Sequence, residues 1–207
     1  MYYIANMKIL NAQYVKSVAG FADRMQLECP EICFIGRSNV GKSSMINKLV
    51  MQKIARTSST PGATRMINIY KILCEFDKER KPLIFSDFPG FGYSKVSKKT
   101  YRGWQGMIEG YIRENRYIKR LIWVYDVRRE MDEIDSNVIK WIGRTGLDFT
   151  LVITKIDKVS KNDISVKKRL FEQNFGKDKV FLFSSKDGYG KDKLLLHIQD
   201  IAVKKAE

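Results

Sequence analysis

The stretch Gly36-Arg37-Ser38-Asn39-Val40-Gly41-Lys42-Ser43 restricts this chain more than any other. It fits G-x-x-x-x-G-K-[ST], a phosphate-binding loop. The residues before it, Glu31-Ile32-Cys33-Phe34-Ile35, read as a short buried strand, and those after it, Ser44 to Val50, as a helix. Strand, glycine loop and helix together are the setting the motif requires. Glycines let backbone N–H groups close on phosphate oxygens with no Cβ in the way. The helix N-terminus adds unpaired N–H groups and the positive end of its dipole. Lys42 is placed to reach the β- and γ-phosphates and the Ser43 hydroxyl to ligate Mg²⁺, so Gly36 through Ser44 is the expected phosphate-contacting run.

Apolar runs then alternate with helical patterns. Met66–Phe76 and Pro82–Ser86, separated by a charged turn, predict a hairpin. Trp104, Met107, Ile108, Tyr111 and Ile112 fall at helical spacing and predict a face packed on a sheet. Leu121–Tyr125, Phe149–Ile153 and Val180–Phe183 read as further buried strands, and Leu194, Leu195, Ile198 and Ile201 as a last helix. Val15–Met25 reads as a short helix or an edge segment. The pattern predicts an α/β protein with the P-loop NTPase fold: three layers around a mostly parallel, six-stranded sheet with one antiparallel edge strand. Residues 1–207 are expected to form one domain, its nucleotide-binding core running from about 30 to 201.

In such sheets ligands bind beyond the carboxyl ends of the strands, and three polar motifs fall there. Asp87-Phe88-Pro89-Gly90 follows a strand as a Walker-B-like acid does. The Asp87 carboxylate is placed to hold a water of the Mg²⁺ shell, and the Gly90 N–H to feel the γ-phosphate. In Thr154-Lys155-Ile156-Asp157, the Asp157 carboxylate matches guanine N1–H and its exocyclic amine. Adenine lacks both donors, so an unpaired buried carboxylate would penalise ATP. The stem of Lys155 suits the plane of the base. Phe183-Ser184-Ser185-Lys186 ends the next strand and can offer backbone N–H to guanine O6. Together these motifs point to GTP and GDP as ligands.

Net charge is +15. A fold has no need of such an excess, and it points to a polyanionic partner, nucleic acid before membrane. The three cysteines, Cys29, Cys33 and Cys74, form no metal-ligand cluster and are expected as reduced thiols. The one histidine, His197, is expected to pack or face solvent. No long apolar run opens the chain and no arginine precedes Arg24, so neither a signal peptide, a membrane insertion nor a transit peptide is expected, and a cytoplasmic protein follows.

The wording GRSNVGKSS, TSSTPGATR, DFPGFGYSK and TKIDK resembles that of translation-factor-class, Era-like GTPases, and above all of the bacterial EngB GTP-binding proteins. The resemblance runs from about Phe21 to Ile201 and takes in Pro30-Glu31, Trp104, Asp126-Val127-Arg128-Arg129 and Asp135…Trp141. It implies a small, single-domain GTPase working with Mg²⁺, a role in assembly of the large ribosomal subunit, and an association with division septum formation. It adds Pro61-Gly62-Ala63-Thr64-Arg65 to the nucleotide-contacting residues and makes Thr64 the second protein ligand of Mg²⁺ beside Ser43. Spacing alone does not separate Thr64 from Thr57, Ser58, Ser59 and Thr60. Ala63 and Arg65 depart from the arginine and glutamine usual there.

After D-x-x-G, Ras-like GTPases carry a glutamine that orients the attacking water; here the residue is Phe91, which cannot hydrogen-bond water. No catalytic residue is assigned, and slow intrinsic hydrolysis is expected unless a partner, a cation or another residue organises the water. The leading reading is a monomeric, GTP-switched ribosome-assembly factor that meets ribosomal RNA through basic segments at Lys95–Lys99 and Arg113…Arg116…Lys119-Arg120. The alternative is a GTP-dependent switch that guides division-site proteins without binding ribosomal RNA. A third reading, an RNA-modifying GTPase, lacks an extra domain or catalytic cysteine motif.

Overall fold

The structure, a computed structural model, describes residues 7–23, 28–57, 66–76, 78–91 and 98–203, with side chains in the last span from 106 onward. Its centre is β2 (Glu31–Gly36), every residue of which is buried. A strand covered on both faces is apolar along most of its length, here from Ile32 to Ile35, which is why it reads as a run rather than an alternation. Parallel neighbours flank it: β4 (Glu79–Asp87) on one side and β5 (Ile118–Asp126) on the other. Outside β5 lie β6 (Phe149–Thr154) and β7 (Val180–Leu182), also parallel. Outside β4 lies β3 (Ile67–Phe76), its antiparallel hairpin partner, and outside β3 lies β1 (Lys8–Val18), again antiparallel to it.

The sheet order is therefore β1-β3-β4-β2-β5-β6-β7, with seven strands where the sequence suggests six. The seventh is β1, which begins well before the Val15–Met25 segment expected as a helix or edge. Register shifts between Ile9 and Asn11 and between Tyr14 and Lys16 interrupt its pairing. Such irregularities break the period of two by which a half-buried strand is recognised. The strand of reversed direction, β3, consequently has a neighbour on each side.

Helices cover both faces. On one, α1 (Lys42–Val50) and α5 (Lys191–Val203) bury Met45, Ile46, Leu49, Leu194 and Ile198 in a core shared with Ile32, Phe34 and Phe85. On the other, α2 (Lys98–Glu114), α3 (Glu133–Thr145) and α4 (Lys161–Phe175) bring Ile108, Tyr111, Ile142 and Phe171 against Cys33, Ile35, Trp123 and Tyr125. The expected helical stripe is present at Ile108, Tyr111 and Ile112, while the side chain of Trp104 lies outside the described residues. Helix α3 starts at a reciprocal capping box between Asp132 and Asp135 and stops at Gly146 in the left-handed region (φ 70°).

All three cysteines are buried and none is in a disulfide, and burial pushes the Cys74 thiol up to about 12, as expected of packing residues. His197 shares a 2.8 Å hydrogen bond with Thr150 and stacks on Phe181.

One buried polar group ties the layers together. The Glu31 carboxylate, fully buried at the start of β2, accepts hydrogen bonds from Ser86 Oγ (2.5 Å), Tyr111 Oη (2.7 Å) and Asn115 Nδ2 (2.8 Å). It thus joins β2, β4 and the end of α2, and burial together with the Glu31 charge raises the Tyr111 phenol far above its ordinary value. Glu31→Ala strands three buried donors, and hydrogen bonds to a charged group contribute about 1.5–3 kcal/mol each. Urea unfolding of this variant should show a loss on the order of 4 kcal/mol. A loss below about 1 kcal/mol would show that water replaces the carboxylate without penalty.

Candidate nucleotide-binding site

The carboxyl ends of β2, β4, β6 and β7 each carry one of the polar motifs, and β5 ends beside them at Asp126, so that all five meet along one rim. The loop after β2 turns at Gly36 (φ 153°), where a Cβ would lie 2.5 Å from the Val124 carbonyl oxygen, and at Gly41 (φ 104°), which opens α1. No L side chain fits the first position. Lys42 is only 8% exposed and folds back over the loop, donating to the carbonyls of Gly36 and Arg37 at 3.3 Å each. Burial holds its ammonium below the ordinary lysine range, and the nearby Asp87 carboxylate opposes that shift.

Asp87 ends β4 fully enclosed. Burial raises its pKa above the ordinary carboxylate value, while Lys42 and the Ser43 hydroxyl pull it down. Ser43 Oγ donates to Asp87 Oδ2 at 2.6 Å, and Asp87 Oδ1 is buried with no hydrogen-bond partner. The D-x-P-G loop then lies directly on the P-loop. A Cβ on Gly90 would sit 2.6 Å from Ser38 Cα. Phe91 N donates to the Gly36 carbonyl, and Ser38 N donates to the Phe91 carbonyl, each at 3.3 Å. The Phe91 side chain, 8% exposed, packs into the core on the α2–α3 face.

The other end of the rim is braced to the P-loop by two side chains. Thr154 Oγ1 donates to the carbonyls of Val40 (2.7 Å) and Tyr125 (3.0 Å). Lys155, in the left-handed region (φ 57°), lays its stem 4.0 Å from where a Gly41 Cβ would be, and its ammonium reaches the Asn39 carbonyl (2.5 Å) and Asp126 Oδ2 (3.0 Å). Asp157 Oδ1 accepts from Ser184 Oγ at 3.1 Å. Its Oδ2 is buried without a hydrogen-bond partner, 3.5 Å from the Lys158 ammonium. The Ser184 N–H bonds the Tyr189 carbonyl, closing the last loop.

With this geometry in place, comparison with known proteins is decisive. A family described as 50S ribosome-binding GTPase matches residues 31–155, from β2 through Lys155. The probable GTP-binding protein EngB of Syntrophus aciditrophicus is 34% identical over 195 residues, which cover 93% of this chain and 96% of that protein. Its Aquifex aeolicus namesake is 38% identical over 82% of this chain and 89% of that one. The chain belongs to the EngB family of GTP-binding proteins. Among solved structures, a probable EngB superposes with a TM-score of 0.63 at 22% identity, covering 84% of this chain and all 100% of that one. Aquifex aeolicus Era Y63A bound to GDP.AlF4⁻ gives 0.72 at 20% identity, with 87% of this chain matched to 59% of the Era chain. Both likenesses speak to the fold.

In this EngB GTPase the residues expected at the site divide three ways. Gly36–Ser44, Asp87–Gly90, Thr154–Asp157 and Phe183–Lys186 do share one rim, with Ile156 and Phe183 facing the core and Lys186 exposed. Pro61, Gly62, Ala63, Thr64 and Arg65 lie outside the described residues, as do Ser58, Ser59 and Thr60. Arg37 belongs to the loop by its backbone, but its side chain, 7% exposed, turns to the α3 capping box, with Nη1 2.5 Å from Asp132 Oδ2 and 3.6 Å from Asp135 Oδ2. Arg129 joins the same pair of carboxylates at 3.2 and 3.8 Å. The role of Arg129, Asp132 and Asp135 in holding the P-loop was not read from the sequence; only their place in the EngB-like wording marked two of them. Asp126 was passed over as a strand end. Burial raises its pKa, but hydrogen bonds from Arg128 and Lys155 outweigh this and hold it below the ordinary value.

The oxygen donors of Ser43 and Asp87 fit a small hard cation such as Mg²⁺, and the partnerless Asp87 Oδ1 supplies acceptor capacity for its hydration shell. Among the described residues no group of three or more His, Cys, Asp or Glu side chains is placed to hold a metal. A cation at this rim would therefore rely on few protein oxygens and on phosphate.

Proposed function

We propose that this EngB chain is a monomeric, single-domain, cytoplasmic G protein that hydrolyses GTP slowly and docks on the RNA of the large ribosomal subunit when GTP is bound. The observation that carries the nucleotide reading is the buried Asp157 Oδ2, which accepts no hydrogen bond and has only the Lys158 ammonium at 3.5 Å, at the end of the rim opposite the phosphate loop. A guanine N1–H and amine satisfy it; an adenine leaves it unpaired. With the Ser184 N–H engaged by Tyr189, contact to guanine O6 falls to the N–H groups of Ser185 and Lys186. Lys155, already pinned by Asn39 and Asp126, offers its stem to the base without losing further freedom.

At the other end, the P-loop amides and Lys42 hold the phosphates, and Gly90 lies close enough to Ser38 for its N–H to sense the terminal one. Ser43, Thr64 and, through water, Asp87 would hold Mg²⁺. When bound, such an ion would supply positive charge against the charge that builds on the phosphates. Phe91 contributes no hydrogen bond to a water from its side chain, which supports slow unassisted turnover. No helix among the described residues is long and apolar enough to cross a membrane.

Three observations support the ribosomal partner: the net charge of +15, the 50S ribosome-binding description of the matching family, and an Era structure of the same fold in complex with MgGDPNP and nucleotides 1506–1542 of 16S ribosomal RNA. Of the basic residues expected to dock, Arg113 is exposed, while Arg120 is paired with Asp148 at 3.3 Å and largely covered, so Arg120 contributes less than its charge suggests. Lys95–Lys99 lie outside the residues whose side chains are described.

Single-turnover hydrolysis by the isolated protein should run on the order of 10⁻³ s⁻¹ or slower. Co-sedimentation with purified large subunits should be stronger with a GTP analogue than with GDP and should weaken steeply with salt, because each neutralised RNA phosphate releases counterions. Equal retention with both nucleotides would remove the switch. No retention at any salt would remove the ribosomal partner and leave the division-site reading. A fast intrinsic rate would show that another group orients the water.

A further inference from the structure

A cavity of about 310 Å³ opens on the sheet face opposite α1, between α2 and α3 and beneath the D-x-P-G loop. Its walls are Ile35, Phe88, Pro89, Phe91, Ile108, Val138 and Trp141, and its rim carries Asn137, Lys140 and Arg144. The volume lies at the low end of the range for small-molecule sites, and an apolar interior with a few convergent polar groups is their usual chemistry. Lys140 and Arg144 are one helical turn apart on α3, both exposed, and neither has an ion-pair partner among the described residues. Among the described residues no carboxylate lines the cavity. The rim therefore presents two uncompensated cations and an amide over an aromatic pocket, which selects an anion with a flat apolar body.

We propose that this cavity binds an aromatic carboxylate, its ring against Phe88, Phe91 and Trp141 and its anion at Lys140 and Arg144, and that occupancy holds the D-x-P-G loop on the P-loop. The coupling follows from the backbone. Phe91, whose ring lines the cavity, exchanges hydrogen bonds with Gly36 and Ser38 on its other side. A ligand that packs on the Phe91 ring stabilises the loop position that keeps those two bonds, and a ligand with such a preference shifts the population toward it. Binding to the cavity stands apart from the P-loop and the guanine-end loops, but Phe88, Pro89 and Phe91 belong to the D-x-P-G segment, so the coupling, unlike the binding itself, rests on the nucleotide reading.

The test uses 1-naphthaleneacetate as the probe on the full chain, with the neutral 1-naphthaleneacetamide beside it. Binding is followed by the NMR shift of the Trp141 indole N–H, assigned with Trp141→Phe. The acid should saturate this signal, and the amide should bind roughly tenfold more weakly, as loss of a charge-assisted contact predicts. Val138→Phe, which fills the cavity, should abolish saturation. Should that variant fail to fold, Lys140→Glu with Arg144→Glu, confined to the exposed rim, should abolish it instead. In the same samples the acid should slow release of a fluorescent GDP by several-fold. Absence of saturation, equal affinity for acid and amide, or binding that survives both variants would overturn the site. Saturation with an unchanged GDP release rate would overturn the coupling.

Discussion

Lys42→Ala should remove most of the thermal stabilisation that GTP confers on the wild-type protein. At about a thousandfold excess over Kd, a ligand that binds only the folded state adds roughly 4 kcal/mol. The buried Lys42 ammonium sits within 3.3 Å of two P-loop carbonyls and is thus already positioned over the turn that receives phosphate. Its contacts to phosphate oxygens are charge-assisted and shielded from solvent, and losing them should cost about 3 kcal/mol, a rise in Kd of roughly 150-fold. The stabilisation left at the same GTP concentration is then about 1 kcal/mol. The variant itself should fold, because alanine leaves the Gly36 carbonyl still bonded to Phe91 N. Calorimetric titration and melts with and without GTP give the two numbers independently. A mutant stabilised as much as the wild type would show that the phosphates bind elsewhere.

Asp157→Asn should convert guanine preference into xanthine preference. The carboxylate offers two acceptors; one already takes the Ser184 hydroxyl at 3.1 Å, and the other is buried without a hydrogen bond, 3.5 Å from the Lys158 ammonium. Asparagine keeps an acceptor for Ser184 and turns a donor outward. Guanine then faces donor against donor and loses hydrogen bonds to a charged group, for which about 3–5 kcal/mol is the expected sum of two. That corresponds to GTP binding weakened by a factor of roughly 10² to 5 × 10³. Xanthine, with a carbonyl where guanine has its amine, regains a partner. Displacement of a fluorescent GDP by GTP, XTP and ATP separates the outcomes. If ATP competes as well as GTP in the wild type, the guanine assignment is wrong whatever the mutant does.

Local chemistry made most of the rim legible in the sequence. The P-loop is contiguous, so its glycines, lysine and serine announce the turn and the helix N-terminus in one stretch. The strands that lead to Asp87, Thr154 and Ser184 are buried on both faces, and so appear as apolar runs whose polar successors must lie at the rim. What stayed hidden is of two kinds. Strand β1 carries register shifts that blur its alternation, so an edge strand reads as a mixed segment. The bracing contacts join residues far apart: Arg37 and Asp132 are separated by 95 positions, Thr154 and Val40 by 114, and the donors to Glu31 lie 55, 80 and 84 positions downstream. A charged side chain has many candidate partners in a chain with 38 basic and 23 acidic residues. Which pair forms depends on which strand ends the sheet order sets side by side and which of those ends are sealed from water, where an unpaired charge costs several kcal/mol. The sequence alone determined the fold class and the ligand that this rim is shaped for. The tertiary structure alone decided that the P-loop arginine is held by α3 and that the Phe91 ring packs into the core, because both follow from packing across the sheet and not from any local pattern.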